Sequence, residues 1–149
     1  MTSYPEGFHT RAVRREPLRV ALSSTDPLAQ RNHIELTTLA GRLFEVWPRD
    51  MAPGFYDTVV SACRAAGFEP RLDEQAAGNT VWGNLARGRG VALINASLAE
   101  QMPRGISLVT LAEPPATLTY DAVWHQDERP LIQRSLQAAA QLAGEAGWL

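Results

Sequence analysis

Residues 43–95 decide the fold of this chain, and they read LFEVWPRDMAPGFYDTVVSACRAAGFEPRLDEQAAGNTVWGNLARGRGVALIN. Apolar runs at residues 43–47 and 91–94 have the length and composition of buried strands, and residues 71–75 can form a strand between them. A helical pattern separates each strand from the next. Strand, helix, strand, helix and strand in about fifty residues predict two right-handed crossover units on a parallel sheet.

The two helices of this stretch have recognisable ends and inner faces. Pro53 suits the first turn of the first helix because its missing N–H costs nothing there. Gly67 and Pro70 end that helix. Asn79 or Thr80 can cap the second helix. The inner faces are predicted to consist of Phe55, Val59, Ala62, Cys63 and Ala66 in the first helix and of Val81, Trp82 and Leu85 in the second.

Shorter elements are predicted on either side of this stretch. Residues 8–15 can form an edge strand that Glu16-Pro17 breaks, and residues 18–22 form a stronger strand. Helical turns are predicted at residues 23–29, 34–41 and 96–102, and strands at residues 106–111 and 117–124. A final helix begins at Pro130, with an apolar stripe of Leu131, Leu136, Ala139 and Leu142.

A candidate site follows from the predicted sheet. Ligands bind such sheets outside the carboxyl ends of the strands, where the following helices begin. In this chain those positions are the loop Pro48-Arg49-Asp50-Met51-Ala52-Pro53 and the segment Ala77-Gly78-Asn79-Thr80. Both place helix N-terminal N–H groups, and so partial positive charge, beside one crevice. Arg49 adds a cation whose forked donors suit a carboxylate. This arrangement predicts a site for a small anion, unless Arg49 only pairs with Asp50 or Asp57 on the surface.

The composition excludes several classes of protein. The 149 residues are 45% hydrophobic and 20% charged, which are values of a globular domain. A net charge of −2 provides no field that would hold nucleic acid. The single cysteine, Cys63, excludes an internal disulfide and is expected to be a small buried hydrophobe. The sequence contains no secretion signal and no membrane-spanning run, so we expect a cytoplasmic protein. His9, His33 and His125 are scattered, with no ligand pair at helical or hairpin spacing, so we expect no metal or other cofactor.

Four segments, taken in order, resemble the effector-binding domain of LysR-type transcriptional regulators. They are EPLRVALSSTDPLA from Glu16, LFEVWPRDMAPGFYDTVVSACRAAGFEP from Leu43, NLARGRGVALINASL from Asn84 and LTYDAVWHQD from Leu118. The resemblance extends from Glu16 to about Leu142. The chain departs from the family in having Asn95 where a proline is usual.

The resemblance implies an α/β fold similar to the type II periplasmic binding proteins, with two lobes and the effector in the cleft between them. The chain would cross between lobes near residues 21–25 and again near residues 111–118. Residues 1–25 would form part of the first lobe and the first crossing, and residues 26–111 the complete second lobe. Residues 112–149 would form the second crossing with a strand and helix of the first lobe. The family's winged helix-turn-helix and about half of its first lobe have no counterpart here, so DNA would be bound only through a module outside this chain.

The implied function is that of an effector-sensing domain and not of an enzyme. Its ligand would be a small organic anion, such as a carboxylate. The predicted ligand-binding residues are Ser23, Ser24 and Thr25 at the first crossing, Pro48, Arg49, Met51 and Pro53 in the second-lobe loop, and Asn79 and Thr80 at the start of the second helix. For the three residues at the first crossing, capping of the following turn is an equal alternative.

Assembly into a homodimer or a larger homo-oligomer is expected as well. An incomplete first lobe would leave the strands at residues 18–22 and 119–124 with open edges and exposed apolar faces, which recruit another chain. The first helix, with Tyr56, Val60 and Arg64 outside its inner face, is a second expected contact. Two alternatives stay open: a structural or dimerisation fragment without a working pocket, and a small α/β enzyme that uses Cys63 or Asp57.

Overall fold

The chain divides into two compact units, which are described separately below. The structure is a computed structural model that describes residues 6–74, 79–112, 115–125 and 130–148. The larger unit is Pro17–Ala116, and the smaller unit combines Met1–Glu16 with Thr117–Leu149. The lobe boundaries that the resemblance implies, near residues 21–25 and 111–118, remain predictions.

The strand β1 (Phe8–Ser23) runs without a break through Glu16 and Pro17, so the predicted break is wrong. Its second half pairs antiparallel with β5 (Ala92–Asn95) on one side and with β6 (Ile106–Leu111) on the other. The pairing with β5 begins at Leu18 and the pairing with β6 begins at Arg19, so Pro17 lies before both ladders. The missing N–H of Pro17 therefore costs neither ladder a hydrogen bond. The short strand β2 (His33–Ile34) adds in parallel to β6. Residues 18–22 are therefore central in the sheet, and the open edge predicted for them does not exist.

The predicted parallel arrangement of residues 43–95 is confirmed for the first two strands and, in the third, for Val91 alone. β3 (Leu43–Glu45) pairs in parallel with β4 (Arg71–Asp73), and Phe44 forms a parallel bridge with Val91 just before β5. The Glu45 N–H donates to the Val91 carbonyl at 2.8 Å, and the Val91 N–H donates to the Leu43 carbonyl at 2.9 Å. Beyond Val91 the chain continues as β5 and turns to antiparallel pairing with β1, so the strands do not form one purely parallel sheet.

The helix α1 (Pro53–Ala65) follows β3 and buries Val59 and Cys63, as its apolar spacing predicts. Val60 is also buried, at 8% exposure, although it was expected outside the inner face. The reason is that a helix packed on a sheet covers a stripe wider than 100°. Gly67, at φ 88°, ends the helix, and the Phe68 N–H donates back to the Cys63 carbonyl at 3.1 Å.

The helix α2 (Asn79–Ala86) lies between β4 and β5 in the chain and packs on the sheet. Val81 and Leu85 are fully buried, in one cluster with Ala21, Ala92 and Ile94, and Trp47 and Trp82 pack against this cluster from outside. Val81, Trp82 and Leu85 are the inner-face residues that the sequence predicts for α2. The predicted helical turns are short 3₁₀ helices, at Pro27–Gln30, Leu36–Leu39 and Ala96–Gln101.

The smaller unit contains the first half of β1, the strand β7 (Thr117–His125) and the helix α3 (Pro130–Glu145). β7 pairs with β1, and the Arg15 N–H donates to the Trp148 carbonyl at 2.5 Å. Ala143 is buried on α3, but Leu142, predicted in the apolar stripe, is 60% exposed. A two-stranded ribbon is too narrow to cover the whole apolar side of a helix. The side chain of Leu131, the first residue of that predicted stripe, lies outside the described residues.

Candidate ligand-binding site

The carboxyl ends of β3 and β4 meet at one edge of the larger unit, which we call the carboxyl edge. It consists of residues 48–57, Glu74 and the first turn of α2. The Val46 N–H donates to the Asp73 carbonyl at 3.2 Å, which holds the two strand ends together. The Tyr56 hydroxyl donates to Glu74 Oε1 at 3.1 Å, which joins the start of α1 to the end of β4. The parallel pairing thus brings the loop at residues 48–53 and the end of β4 at Glu74 to the same edge.

The N-terminus of α1 has no side-chain cap. Its N-cap residue is Ala52, which has no oxygen to offer, and Pro53 occupies the first helical position. No acidic residue lies in the first turn. The first N–H groups of the helix therefore keep the partial positive charge that attracts an anion.

Arg49 lies over this helix start, but it is already paired. Its Nε donates to Asp57 Oδ1 at 2.9 Å and its Nη2 donates to Asp57 Oδ2 at 3.1 Å. The hydrogen bond from Arg49 lowers the pKa of the Asp57 carboxyl below its usual value. This is the surface pairing that the sequence left open as an alternative. With Glu74 nearby, the side chains of this edge carry a net negative charge, so the positive potential for an anion has to come from the helix N–H groups.

Apolar surface lies beside these N–H groups. Met51 is 66% exposed, Pro53 is exposed and Pro48 is half-buried. At the start of α2, Thr80 is exposed within the first turn and no acidic residue lies in that turn. Because α2 is helical from Asn79, Thr80 is inside the helix and is not its cap. Ala77, Gly78 and the side chain of Asn79 lie outside the described residues.

Ser23, Ser24 and Thr25 lie at the other end of the sheet. Leu18 is in register with Asn95 at the carboxyl end of β5. Ser23, the last residue of β1, lies five residues further along the strand, a distance of about 16 Å at about 3.3 Å per residue. There the Ser23 hydroxyl donates to the carbonyl of Ala86, the last residue of α2, at 3.2 Å. These three residues are therefore not brought together with the loop at residues 48–53.

Local hydrogen bonds hold the turn that contains these three residues. Ser23 Oγ accepts from the Thr25 N–H at 3.3 Å, and the two hydroxyls are 2.9 Å apart. The Ser24 N–H donates to the Gly105 carbonyl at 2.9 Å. The 3₁₀ helix that follows is capped by Asp26, which accepts from the Leu28 N–H at 2.9 Å.

Cys63 has the properties of a core residue and not of a nucleophile. It is fully buried on α1, and burial raises the pKa of its thiol to about 11. A thiol with that pKa is almost entirely protonated at neutral pH, whereas the reactive form is the thiolate. Asp57, the other residue of the enzyme alternative, is held by Arg49 on an exposed surface.

Within the described ranges, no three or more His, Cys, Asp or Glu side chains are grouped so that they could hold a metal ion. No helix in the described part of the chain is both long and apolar enough to span a membrane.

The larger unit also contains a cavity of about 370 Å³ that none of the predicted site residues lines. It is enclosed by the second half of α1, the Leu36–Leu39 turn and the end of β6. Small side chains leave this space open along α1. Its lining includes Glu35, Thr37, Ala62, Ala65, Ala66 and Leu111.

Glu45 is a buried polar residue of the larger unit that the sequence analysis did not identify as a candidate. It is 4% exposed within β3, and its Oε1 accepts from Asn84 Nδ2 at 3.1 Å. The sequence does contain a feature that could have identified it, because Glu45 is the one charged residue in the apolar run LFEVW. A charge inside an apolar strand indicates a buried polar contact with a partner elsewhere in the chain.

Comparison with known proteins gives one consistent result. The family model for the LysR substrate binding domain matches residues 2–144. The chain is 30% identical, over 141 residues, to the HTH-type transcriptional regulator IlvR of Caulobacter vibrioides, an alignment that covers 93% of this chain and 47% of that regulator. The chain thus spans about half the length of the curated relatives it matches.

Solved structures agree on the fold. The effector binding domain of a BenM variant superposes with a TM-score of 0.84 at 23% identity, over 100% of this chain and 71% of that one. The BenM effector binding domain with its effector benzoate superposes with a TM-score of 0.82 at 21% identity, over 100% and 69% of the two chains. The mixed α/β architecture is therefore the type II periplasmic-binding-protein-like fold that the resemblance implied. The chain belongs to the family of the substrate-binding domains of LysR-type transcriptional regulators.

Proposed function

We propose that this chain senses a small organic anion, which binds at the carboxyl edge of the larger unit. The observation that carries the proposal is the uncapped N-terminus of α1, with no acidic residue in its first turn, beneath Arg49. An anion there would accept hydrogen bonds from free N–H groups and would benefit from the helix dipole. Arg49 would turn from Asp57 to the ligand, or would share its forked donors between them.

The ligand class is a carboxylate on an apolar body. Met51 and Pro53 offer apolar surface next to the N–H groups, which suits a ligand with one charged end. Benzoate, the effector of BenM, has this chemistry, and the BenM domain is among the structures this chain superposes on. Asn79 and Thr80 would meet the ligand from the start of α2. Ser23, Ser24 and Thr25 would need a contact of their own at the other end of the sheet.

A thermal-shift screen of small carboxylates, started with benzoate, tests the proposal. A bound carboxylate should raise the unfolding temperature, and the rise should grow with the logarithm of its concentration once that concentration exceeds its Kd. Neutral amides of the same acids are the matched controls and should have no effect. Stabilisation by the amides as strong as by the acids would contradict an anion site, and silence across a broad panel would favour a fragment without a working pocket.

The cavity beside α1 is the competing location for such a ligand, and a single substitution separates the two. Ala65 is exposed and lines the cavity, so Ala65→Leu fills part of that space with little effect on the core. We expect ligand binding to survive this change. Loss of binding in Ala65→Leu would move the site from the carboxyl edge to the cavity.

We also propose that the chain forms a homodimer or a larger homo-oligomer in the cytoplasm, and that it meets DNA only through a module outside these residues. Phe8, Val123 and Leu142 of the smaller unit are 44%, 39% and 60% exposed. Exposed apolar side chains of this kind are typical of a surface that another chain covers. Light scattering at tens of micromolar should give at least twice the monomer mass, and a stable monomer there would refute the assembly.

A further inference from the structure

Glu45 is a carboxylic acid enclosed in the core of the larger unit. It is only 4% exposed, and it lies on β3 between the in-register partner Asp73 on β4 and the bridge residue Val91. Neighbouring residues of a strand face opposite sides, and Phe44 contacts Phe68 beyond α1 with ring centroids 6.1 Å apart. The Glu45 side chain therefore points to the other side, where it meets α2.

The contacts of Glu45 suit a neutral acid. Oε1 accepts from Asn84 Nδ2 at 3.1 Å, and the Asn84 Oδ1 in turn accepts from Arg87 at 3.2 Å. Oε2 is enclosed and has no hydrogen-bond partner within the described part of the chain. A buried carboxylate would leave that oxygen with an uncompensated charge, which is far costlier than an enclosed hydroxyl.

The turn between α2 and β5 closes over this acid. A Cβ atom at Gly90 would lie 2.9 Å from the Leu43 carbonyl oxygen, 3.1 Å from Glu45 Cγ and 3.3 Å from Glu45 Oε1. Any side chain at position 90 would displace the strand or the acid. Glycine therefore lets the chain seal the carboxyl from solvent at this point.

The charges that face Glu45 come from two directions. Asp73 faces it from β4, Arg89 faces it from the turn after α2, and α2 presents the amide of Asn84. No side chain of the described residues forms an ion pair with Glu45. Burial raises the pKa of the Glu45 carboxyl above 4.5 and Asp73 adds to the rise, against the opposing effects of the Asn84 hydrogen bond and Arg89.

We infer that Glu45 is a buried proton-binding residue, which holds α2 against β3 while its carboxyl is neutral and loosens that contact when it ionises. The sign of the effect follows from linkage. Because the folded chain binds this proton more tightly than the unfolded chain, the stabilisation is fully present below pH 4.5 and is lost as the pH rises through the folded value.

Ligand binding would respond to the same proton. β3 leads into the loop at residues 48–53, and α2 begins at the carboxyl edge, so both elements that Glu45 joins end at the proposed site. This consequence rests on the proposed function. The effect on stability does not, and it is measured without any ligand.

Thermal unfolding of the whole chain between about pH 5 and about pH 8 tests the inference. Glu45→Gln keeps the shape of the neutral acid and cannot ionise, and Glu100→Gln, at an exposed position, is the matched control. We expect the unfolding temperature of Glu45→Gln, relative to that of the wild type, to increase as the pH rises. The difference in unfolding temperature between Glu100→Gln and the wild type should stay constant with pH. Parallel curves for Glu45→Gln would overturn the inference.

Two measurements on the wild type keep the test valid if Glu45→Gln does not fold. The ¹³C signal of the Glu45 carboxyl should titrate with a midpoint above 4.5, and a midpoint at or below 4.5 would overturn the inference. Hydrogen exchange, corrected for its intrinsic pH dependence, should show α2 amides losing protection relative to α1 amides as the pH rises. Equal behaviour of the two helices would mean that the proton does not act on the contact of α2 with β3.

Discussion

The two units of this chain differ in how completely each encloses its own apolar residues. Among the described residues, every buried apolar side chain lies in the larger unit except Ala143 of α3. Of the five large apolar side chains that are exposed, only Met51 belongs to the larger unit. The larger unit therefore has a hydrophobic core of its own. The smaller unit presents apolar surface of the kind that another chain or segment covers.

Strand pairing explains the difference. In the larger unit β1 is flanked by β5 and β6 and covered by α2, so both its edges and one face are occupied. In the smaller unit the described elements are one ribbon of two strands and one helix, which is close to the minimum that is stable in water. The buried apolar core therefore lies mainly in the larger unit, whereas most of the exposed large apolar side chains lie in the smaller unit.

The largest expected effect comes from a core substitution in the larger unit. Leu93 is 2% exposed in β5, so Leu93→Ala should cost about 2–5 kcal/mol of unfolding free energy, since it removes a packed side chain and leaves a cavity. Leu142→Ala, the same change at a 60% exposed position in the smaller unit, should stay within about 0.5 kcal/mol. Denaturant titration of both variants measures this, and equal losses would erase the contrast between the units.

Hydrogen exchange should reveal the same contrast without substitution. The amides of β5 that pair with β1 lie in the buried core of the larger unit, so they should open only with global unfolding. Amides of β7, in a ribbon of two strands, should exchange at least about a hundredfold faster at low protein concentration. Similar protection in β5 and β7 would show that the smaller unit is as cooperative as the larger one.

Assembly should depend on the smaller unit. Val123→Glu places a charge on the exposed face of β7 and should weaken self-association by about tenfold, because burying an unpaired carboxylate at an interface is costly. Met51→Glu introduces the same charge on the larger unit and should leave the assembly unchanged. Sedimentation over a range of concentrations distinguishes them, and the reverse order of effects would place the interface on the larger unit.

The smallest expected effect concerns the two exposed ion pairs of α1. Arg49 and Asp57 pair at its start, at 2.9 and 3.1 Å, and Arg64 and Glu69 pair at its end, at 2.9 and 2.8 Å. Exposed pairs of this kind add little to stability. Arg49→Ala and Arg64→Ala should therefore unfold at nearly the same temperature as the wild type, and a clear loss in either would mean that its pair has a structural role.

Much of this organisation could be predicted from the sequence, because the larger unit follows local rules. The apolar run from Leu43, the spacing of Val59 and Cys63 and the stop at Gly67 each specify an element directly. The family segments then specify the order of those elements. For this reason the fold class, the parallel pairing of β3 with β4 and the burial of Val59, Cys63, Val81 and Leu85 are confirmed.

The remaining features depend on contacts between distant parts of the chain. Residues 18–22 proved central and not an edge, since β5 and β6 pair on both sides of them, and no local pattern reveals such partners. Ser23 and Arg49 are both predicted to contact the effector, but the antiparallel register of β1 and β5 carries Ser23 to the opposite end of the sheet from the loop of Arg49. The burial of Val60 and the exposure of Leu142 differ from the predictions, because the elements packed against a helix determine how much of its surface is covered.

The most direct test of the account compares ligand affinity at the two ends of α1. Calorimetric titration with a carboxylate found by the thermal-shift screen would use the wild type, Arg49→Ala and Arg64→Ala. The two variants lose equally exposed cations, one from the loop before α1 and one from the last turn of α1. We predict that Arg49→Ala weakens binding by roughly tenfold or more, because it removes a charge-assisted hydrogen bond at the uncapped helix start, and that Arg64→Ala leaves the Kd unchanged. Unchanged affinity in Arg49→Ala, or equal losses in both variants, would contradict an anion site at the carboxyl edge.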